Sequence, residues 1–352
     1  MRKIEKRKAD HIQVALGEKV VQEHNNWDDV KLIHNSLPEV DLDEIDTSVT
    51  IFKKRLSMPL IVTAITGGFK DAERINANLA EACAEMRVGL GIGSQRAAIE
   101  NRKDPSYTVL KEHDVPLKIG NVGAPQLIAQ KRRRAFTVDD VKDAMEMVDA
   151  DVMAIHLNYL QEVAQPEGDT RAKGVLDAIR AVAREVPCIA KETGAGISRE
   201  AAIRLKGTGI VGIDISGVSG TSFAAVEMFR ARQMGDARCE AIGRLFSDWG
   251  VPAPVSLVEA DVGLPLIASG GILNGRHVAS SIVLGASCAG MAKAVLPAAM
   301  ESAEAVRKVL SQVREELRVA MFLTGSKDIP SLAEKDCVLT GITREWIVQR
   351  EG

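Results

Sequence analysis

Four side chains with complementary chemistry lie within one short stretch of the chain: His156, Asn158, Gln161 and Glu162. A lone carboxylate among amides suits Mg²⁺, which keeps several waters and takes one or two protein oxygens beside the phosphate oxygens of a substrate. Glu162 is therefore the candidate magnesium ligand. The competing interpretations are an exposed helix glutamate for Glu162 and a hydrogen-bonded core histidine for His156.

A group of basic residues could bind a phosphorylated ligand. Arg7, Lys8 and His11 are close together near the start of the chain, and Arg96 follows the second predicted strand. Guanidinium and ammonium groups that converge on one site bind a diphosphate through charge-assisted hydrogen bonds. The alternative is a solvated N-terminal arm that does not approach the rest of the protein.

Glycine-rich turns late in the chain indicate a phosphate site. Gly270 and Gly271 follow the seventh predicted strand, and residues 290–293 end the eighth. Glycine lets the main chain approach an anion closely, and loops after strands seven and eight of a barrel often hold phosphate. A simple tight turn is the other interpretation of the glycine pair.

Lys191 ends the fifth predicted strand, which is otherwise apolar. A buried ammonium group needs a partner. The candidate partners are a flavin, a phosphate group and the neighbouring Glu192, and an ion pair there could also be purely structural.

Apart from Arg7, Lys8 and His11, these residues lie at or shortly after the ends of short apolar runs, and helical stretches separate the runs. Runs that are apolar on both faces are typical of strands in a parallel sheet. Eight strands alternating with helices over about 250 residues predict an α/β fold, a (β/α)₈ TIM barrel whose active site lies at the C-terminal strand ends. A doubly wound sheet is the alternative. The predicted strands are residues 59–63, 88–92, 116–121, 151–156, 187–191, 210–215, 265–268 and 287–291.

Three segments are predicted along the chain. The barrel occupies residues 59–317, its last helix ending near residue 317, and a C-terminal tail at 318–352 packs on it. Residues 1–58 form an N-terminal extension with a helix near 14–23, and this extension contributes to the substrate site. Between strands six and seven, residues 217–263 form an insertion that begins with small polar residues, as binding loops often do.

The composition is typical of a globular protein and disfavours several classes of function. The 352 residues carry 45 Lys+Arg against 48 Asp+Glu, and a net charge of −3 argues against nucleic-acid binding. The 5 cysteines are isolated, so neither a disulfide scaffold nor a structural zinc site is expected. No apolar stretch approaches the roughly 20 residues of a membrane span, and the charged N-terminus is unlike a signal peptide, so we expect a cytoplasmic protein.

Together these motifs resemble the flavin-dependent, type 2 isopentenyl-diphosphate isomerases over nearly the whole chain. The resemblance rests on the order and spacing of motifs that are weak individually. It implies an FMN enzyme that interconverts isopentenyl and dimethylallyl diphosphate, uses Mg²⁺ and NAD(P)H, and forms a cytoplasmic homo-oligomer, a tetramer or an octamer. The motifs are Arg7-Lys8 with His11-Ile12, Thr66-Gly67-Gly68, Gly93-Ser94-Gln95-Arg96, Gly120-Asn121, His156-Leu157-Asn158 with Gln161-Glu162, Lys191-Glu192, Gly220-Thr221-Ser222-Phe223 and Ser269-Gly270-Gly271.

The resemblance also implies the roles of individual residues. Mg²⁺ would bind Glu162, and the catalytic or orienting residues would be His156, Asn158 and Gln161. FMN would contact Ile65, Thr66, Gly67, Ser94, Asn121, Lys191, Ser216 and Thr221, with its phosphate near Gly271, Ile272, Leu273, Ala292 and Lys293. Substrate would contact Arg7, Lys8, His11, Ser94, Gln95, Arg96 and Gln161.

The chain departs from the family pattern at two places. Ser219-Gly220 replaces a glycine pair before the threonine, and Phe223 stands where tryptophan is frequent. Leu273 occupies a position where the family often has an arginine, so backbone N–H groups would have to suffice there.

A double-bond shift requires protonation of an alkene, a very weak base, and loss of a neighbouring proton. Aromatic residues make up only 3% of the chain, so we hypothesise that reduced flavin supplies the π face that stabilises the cationic intermediate. Reduced FMN would then be the acid and base, with no net redox change. Two alternatives stay open: an FMN-dependent 2-hydroxy-acid oxidoreductase on the same barrel, and a non-catalytic phosphate-binding barrel.

Overall fold

The computed structural model describes residues 3–69, 71–100, 104–131 and 133–351. Eight parallel strands form a closed barrel in the order β10-β11-β4-β5-β6-β7-β8-β9, which confirms the predicted (β/α)₈ fold. Short antiparallel pairs, β1 with β12 and β2 with β3, lie outside it. The strands are β1 (Val30–Leu32), β2 (Val49–Ile51), β3 (Lys54–Leu56), β4 (Leu60–Val62), β5 (Gly89–Gly91), β6 (Lys118–Gly123), β7 (Val152–Leu157), β8 (Cys188–Glu192), β9 (Gly212–Asp214), β10 (Leu266–Ala268), β11 (Cys288–Met291) and β12 (Cys337–Leu339).

The barrel strands coincide closely with the predicted apolar runs because both of their faces are buried. Inside the barrel, Ile61, Ile119, Ile189 and Ile267 belong to one buried cluster, which the β2–β3 hairpin extends with Leu56. Each fully buried side chain of this size stabilises the fold by roughly 1.5–3 kcal/mol. The N-terminal end of the barrel is therefore a packed core, and the polar strand ends lie at the opposite end.

Helices follow the barrel strands and cover the sheet. No helix among these described residues is both long enough and apolar enough to cross a lipid bilayer. The helices are α1 (Lys3–Gly17), α2 (Ala72–Met86), α3 (Arg96–Glu100), α4 (Pro105–Thr108), α5 (Val138–Val148), α6 (Tyr159–Ala164), α7 (Val175–Ala183), α8 (Arg199–Lys206), α9 (Phe223–Met234), α10 (Ala237–Leu245), α11 (Ala253–Glu259), α12 (Gly275–Val283), α13 (Leu296–Glu301), α14 (Ala303–Thr324), α15 (Ile329–Ala333) and α16 (Gly341–Glu351).

The predicted insertion lies between β9 and β10 and contains α9, α10 and α11. Helix α9 packs against α10, and it also contacts α1 and α6. The insertion therefore connects the N-terminal helix to the segment after β7.

The first helix differs from the prediction. It spans Lys3–Gly17, whereas the sequence predicts a helix near residues 14–23. Residues 3–13 are rich in strong helix formers such as lysine, glutamate and alanine, although they lack a regular apolar stripe. After Gly17 the chain changes direction, and the β-branched Val21 forms an antiparallel bridge with Thr221.

Helix α14 continues past the predicted end near residue 317. Its buried apolar stripe includes Val313, Leu317 and Met321, so the helical period extends into the predicted tail. The helix ends where Gly325 adopts a left-handed backbone with φ of 64°. The prediction of the helix end was wrong because the stop signal lies eight residues further along, at Gly325.

Candidate active site

Neighbouring strands place polar side chains at one level of the barrel mouth. The register pairs His156 with Lys191, and Lys191 with Asp214. Paired residues of adjacent strands project to the same face of the sheet. An imidazole, an ammonium and a carboxylate therefore lie side by side at the C-terminal ends of β7, β8 and β9.

His156 is held as a neutral imidazole. Asn121 donates its amide N–H to the carbonyl of Ile92 at 3.0 Å, so its Oδ1 accepts from His156 Nδ1 at 2.7 Å. Burial, together with the positive charge of Lys191 and Arg96, lowers the pKa of His156 to about 3. Its Nε2 is consequently a hydrogen-bond acceptor, and the ring is a poor proton donor or base near neutral pH.

Lys191 has a carboxylate partner that the sequence analysis missed. Its Nζ donates to Asp214 Oδ2 at 2.6 Å, and the hydroxyl of Ser269 donates to Asp214 Oδ1. Lys191 and Asp214 are both buried, so each provides the opposite charge that the other needs in the absence of solvent. A charged residue inside the apolar run 210–215 was the signal that could have identified Asp214.

Glu162 is buried among oxygen and nitrogen atoms of its own segment. Asn158 Nδ2 donates to Glu162 Oε1 at 3.0 Å, and the backbone N–H of Asp169 donates to Oε2 at 2.7 Å. Burial raises the pKa of Glu162, while these donors and the charge of Arg7 oppose that rise. Within the part of the chain that the structure describes, Oδ1 of Asn158 is buried without a hydrogen-bond partner.

The N-terminal helix places Lys8 at the mouth. Lys8 Nζ donates to the carbonyl of Ser94 at 2.8 Å and lies 2.6 Å from the hydroxyl of Tyr107. Burial, and then repulsion from Arg7, lower the pKa of Lys8 to about 7. The pKa of Arg7 is also lowered, first by burial and then by Arg96. These cations destabilise one another, so an anion among them would be favourable.

Arg96 is buried at the second strand end and forms an ion pair with Asp169, whose Oδ2 lies 2.9 Å from Arg96 NH1. The backbone N–H of Asp169 also contacts Glu162. Asp169 thus connects the predicted magnesium ligand to the predicted diphosphate ligand, a role that nothing in its local sequence indicates.

A second buried carboxylate, Glu227 on α9, organises residues from three segments. Its Oε1 accepts from Gln161 Nε2 at 3.0 Å and lies 2.8 Å from His11 Nε2, and its Oε2 accepts from Arg230. Burial alone would raise the pKa of Glu227, but these partners, led by His11, lower it to about 2. The prediction places His11 and Gln161 on the substrate, and the structure shows that both are held by Glu227.

Gln95, predicted as a substrate contact, has both ends of its side chain bonded to the protein. The side chain is fully buried, with Nε2 donating to the carbonyl of Ala144 at 2.6 Å. Its Oε1 accepts the backbone N–H of Asn121 at 2.9 Å. These two bonds show that the side chain supports the strand end that carries Asn121.

The loops after β4 and β5 lie against each other. The carbonyl of Thr66 accepts the N–H of Gly93 at 3.0 Å, so residues 65–67 and 93–94 are adjacent. A side chain at Gly67 would be within 2.5 Å of the Tyr107 ring. Glycine is therefore required at this predicted flavin contact.

Two loops on the other side of the mouth, those after β9 and β10, also approach each other closely. A Cβ on Gly270 would lie 2.3 Å from the carbonyl oxygen of Gly217, and one on Gly220 would lie 2.5 Å from the nitrogen of Gly271. Ser216 has a left-handed backbone, with φ of 35°. The predicted contacts Ser216, Thr221, Gly271 and Ile272 are thus all in or beside this packed region.

The last strand adds the remaining predicted phosphate contacts, Ala292 and Lys293, at the end of β11. Burial lowers the pKa of the Lys293 ammonium group. Leu273 differs from these, because its side chain is 51% exposed and cannot replace an arginine.

Comparison with known proteins identifies close relatives. The family described as FMN-dependent dehydrogenase matches residues 197–339 of this chain. An isopentenyl-diphosphate delta-isomerase of Thermoplasma volcanium is 44% identical over 345 residues, covering 98% of this chain and 99% of that protein. Proteins of the same name from Methanosarcina barkeri and Archaeoglobus fulgidus are each 45% identical and cover 98% and 97% of this chain, and 94% and 98% of their own.

Solved structures share the barrel at low sequence identity. A mandelate oxidase with an FMN adduct matches with a TM-score of 0.61 at 19% identity, over 90% of each chain. A lactate oxidase of Pediococcus acidilactici matches with a TM-score of 0.64 at 13% identity, over 90% of this chain and 84% of its own. Identities this low support the fold alone.

Proposed function

The chain belongs to the isopentenyl-diphosphate delta-isomerase family, and we propose that it interconverts isopentenyl and dimethylallyl diphosphate with reduced FMN as the acid and base. The observation that carries this proposal is the arrangement of the barrel mouth. One side carries glycine-rich loops beside Lys191, and the other carries Arg7, Lys8 and Arg96 near Glu162. A phosphorylated flavin and a diphosphate substrate would therefore meet above the strand ends.

The residues at the mouth fit FMN. The N–H groups of Gly271 and Ile272 have no acceptor among the described residues, and the lack of a side chain at Gly220 keeps the space beside Gly271 open. We propose that these N–H groups bind the flavin phosphate and that Thr66, Asn121 and Lys191 contact the ring. When bound and reduced, FMN supplies a transferable proton and an electron-rich π face.

The residues around Glu162 fit Mg²⁺ once a substrate is present. Glu162 and the unpartnered Oδ1 of Asn158 offer two oxygen donors. The described residues contain no cluster of three or more His, Cys, Asp or Glu side chains that could hold a metal. The remaining ligands would be water and diphosphate oxygens, which is the coordination that Mg²⁺ prefers. Bound there, Mg²⁺ neutralises charge on the diphosphate.

Arg7, Lys8 and Arg96 would hold the diphosphate. Their mutual repulsion lowers the pKa of Arg7 and Lys8, and the bound anion would relieve that repulsion. The Nε of Arg7 is buried without an acceptor among the described residues, so it has hydrogen-bonding capacity left for a ligand. Anchoring the charged tail fixes where the alkene lies.

His156 and Gln161 would orient the substrate rather than transfer its proton. The ring of His156 is neutral because its pKa is about 3, and Asn121 fixes its orientation. Gln161 is fixed by Glu227. The reaction adds a proton to the terminal alkene carbon and removes one from the carbon nearer the diphosphate, so protons and electrons balance without net oxidation.

The alternative function, a 2-hydroxy-acid oxidoreductase, is not favoured. Relatives that are 44–45% identical over nearly the whole chain carry the isomerase name, whereas the oxidases match at 13–19% identity. An oxidation of this kind needs a basic residue beside the substrate, and a pKa of about 3 makes His156 a weak base.

Three further parts of the proposal rest on the family resemblance. NAD(P)H would keep the flavin reduced, the protein would be a tetramer or an octamer, and it would function in the cytoplasm. Reduction kinetics with NADH and NADPH test the reductant, and analytical ultracentrifugation tests the oligomeric state.

The direct test begins with the visible spectrum of the purified protein, which should show a bound flavin. An anaerobic assay with isopentenyl diphosphate, Mg²⁺ and a reductant should then yield dimethylallyl diphosphate. Replacing FMN by 5-deaza-FMN should abolish turnover, because this analogue has a carbon in place of the ring nitrogen at position 5 and cannot exchange a proton there. Full activity with the deaza analogue would exclude the flavin as the acid and base.

A further inference from the structure

The segment after α1 crosses to the glycine-rich loops of the barrel mouth. The N–H of Gln22 donates to the carbonyl of Gly220 at 3.1 Å, and the N–H of Ser222 donates to the carbonyl of Val20 at 2.8 Å. Residues 25–29 then continue toward the loop after β10. The extension is therefore attached to both loops that surround the proposed phosphate site.

Two side chains of this segment bind consecutive carbonyls of the loop after β10. Nε1 of Trp27 donates to the carbonyl of Gly270 at 2.8 Å, and Nδ2 of Asn25 donates to the carbonyl of Gly271 at 2.7 Å. The Oδ1 of Asn25 accepts the N–H of Trp27 at 3.1 Å, which sets the orientation of the amide. Trp27 is 1% exposed, so water competes little for its bond.

Binding a carbonyl also fixes the direction of the next N–H. A trans peptide unit is planar, and its C=O and N–H point to opposite sides. When the carbonyls of Gly270 and Gly271 face the extension, the N–H groups of Gly271 and Ile272 face away from it. The left-handed φ of 86° and 88° at the two glycines permits this arrangement.

We propose that Asn25 and Trp27 are positioning residues for the cofactor phosphate, because they preset the two N–H groups that bind it. The inference rests on the proposed function, since it takes FMN as the ligand of this loop. It accounts for the departure at Leu273, because two fixed backbone donors replace a side-chain cation. The segment that carries Arg7 and Lys8 thereby also shapes the flavin site.

Isothermal titration of the FMN-free, full-length protein with FMN and with riboflavin tests the proposal, because riboflavin has the same ring without the phosphate. Trp27→Phe removes the indole donor, and Asn25→Ser removes the amide donor while keeping an oxygen that can cap Trp27. Each variant should bind FMN about tenfold more weakly and riboflavin as well as the wild type does. Trp249→Phe, at a residue 63% exposed, is the matched control and should change neither affinity.

A positioning role and a structural role give different results. Weakening of FMN and riboflavin by the same factor, or unchanged affinity for both, would overturn the proposal. Asn25 is only half-buried, so Asn25→Ser provides a result even if Trp27→Phe fails to fold. If the wild type does not bind FMN, the proposed function is wrong. If the wild type binds FMN but the variants keep its ratio of FMN affinity to riboflavin affinity, only the positioning role is excluded.

With FMN at saturating concentration, hydrogen exchange at the amides of Gly271 and Ile272 should be faster in both variants than in the wild type, because the phosphate that accepts from these N–H groups is bound less firmly. Exchange as slow as in the wild type would contradict the claim that the two side chains hold the loop in place.

Discussion

The Nδ1 of His156 lies 2.7 Å from the Oδ1 of Asn121, and this bond joins the ends of two adjacent barrel strands, β6 and β7. Because Asn121 presents an acceptor, the proton of the imidazole is on Nδ1. The positive charges of Lys191, Arg96 and Lys8 oppose a second proton. The imidazole is thus fixed in orientation, tautomer and charge.

This arrangement predicts a pH dependence of folding stability. The pKa of His156 is about 3 when folded, below the ordinary histidine value of 6.5, so the unfolded state binds more protons between these values. Above about pH 6.5 His156 is neutral in both states and does not reduce the free energy of unfolding. Below that pH its protonation in the unfolded state lowers the free energy of unfolding by about 1.4 kcal/mol per pH unit. His156→Asn keeps a donor toward Asn121 without a titrating ring, and its urea unfolding free energy should fall less between pH 6.5 and 4.5. Parallel pH profiles for the variant and the wild type would contradict the prediction.

Lys8 should take up a proton when a diphosphate binds. Its pKa of about 7 leaves most of the side chain neutral at pH 8, and a bound anion would raise that pKa. Calorimetric titration with inorganic pyrophosphate at pH 8, in two buffers of different ionisation enthalpy, should therefore show net proton uptake that decreases toward pH 6. Lys8→Met should abolish the uptake, whereas Lys19→Met, at an exposed lysine, should preserve it. Equal uptake in both variants would assign the proton to another group.

Glu162→Gln should separate magnesium binding from flavin binding. The amide still accepts the N–H of Asp169, but it provides no negative charge for Mg²⁺. We expect kcat/KM to fall about 100-fold and activity to lose its dependence on Mg²⁺ concentration, while the flavin spectrum is unchanged. Glu185→Gln, at an exposed glutamate paired with Lys142, is the control and should behave like the wild type. Retention of the wild-type Mg²⁺ dependence would exclude Glu162 as the ligand.

The sequence predicts the barrel well because its signals are local. The strands of a parallel sheet are buried on both faces, so each appears as an apolar run, and the rule that active sites lie at C-terminal strand ends then places His156 and Lys191 at the mouth. Their paired positions in β7 and β8 agree with that expectation.

The carboxylates that organise the site are less predictable. Glu227 bonds with Gln161 across 66 residues of sequence, and it lies on a helix of an insertion whose packing has no local signature. The roles of Asp169 and Trp27 are equally hard to predict, because only the tertiary structure brings their partners close to them. The bounds of α1 were missed for another reason: its charged residues favour a helix without the apolar period that the prediction required.

Glu227 offers the most direct test of how these long-range contacts support the site. Its side chain is fully buried, its pKa is about 2, and Arg230, with a side chain 3% exposed, depends on it for charge neutralisation. Glu227→Gln should destabilise the protein by about 3 kcal/mol in urea unfolding, since it leaves a buried guanidinium only partly compensated, by Glu167 and the more distant Asp10. It should also raise KM, since a single amide oxygen cannot accept from Gln161 and His11 on one side and from Arg230 on the other.

The matched control for this variant is Glu240→Gln. Glu240 also pairs with two arginines, but these pairs lie at the surface of α9 and α10, where solvent screens them. Its unfolding free energy and KM should stay close to wild-type values. If Glu227→Gln is as stable and as active as this surface variant, the buried network does not position the substrate-binding residues, and their placement must come from the packing of α1 and α6 on α9 alone.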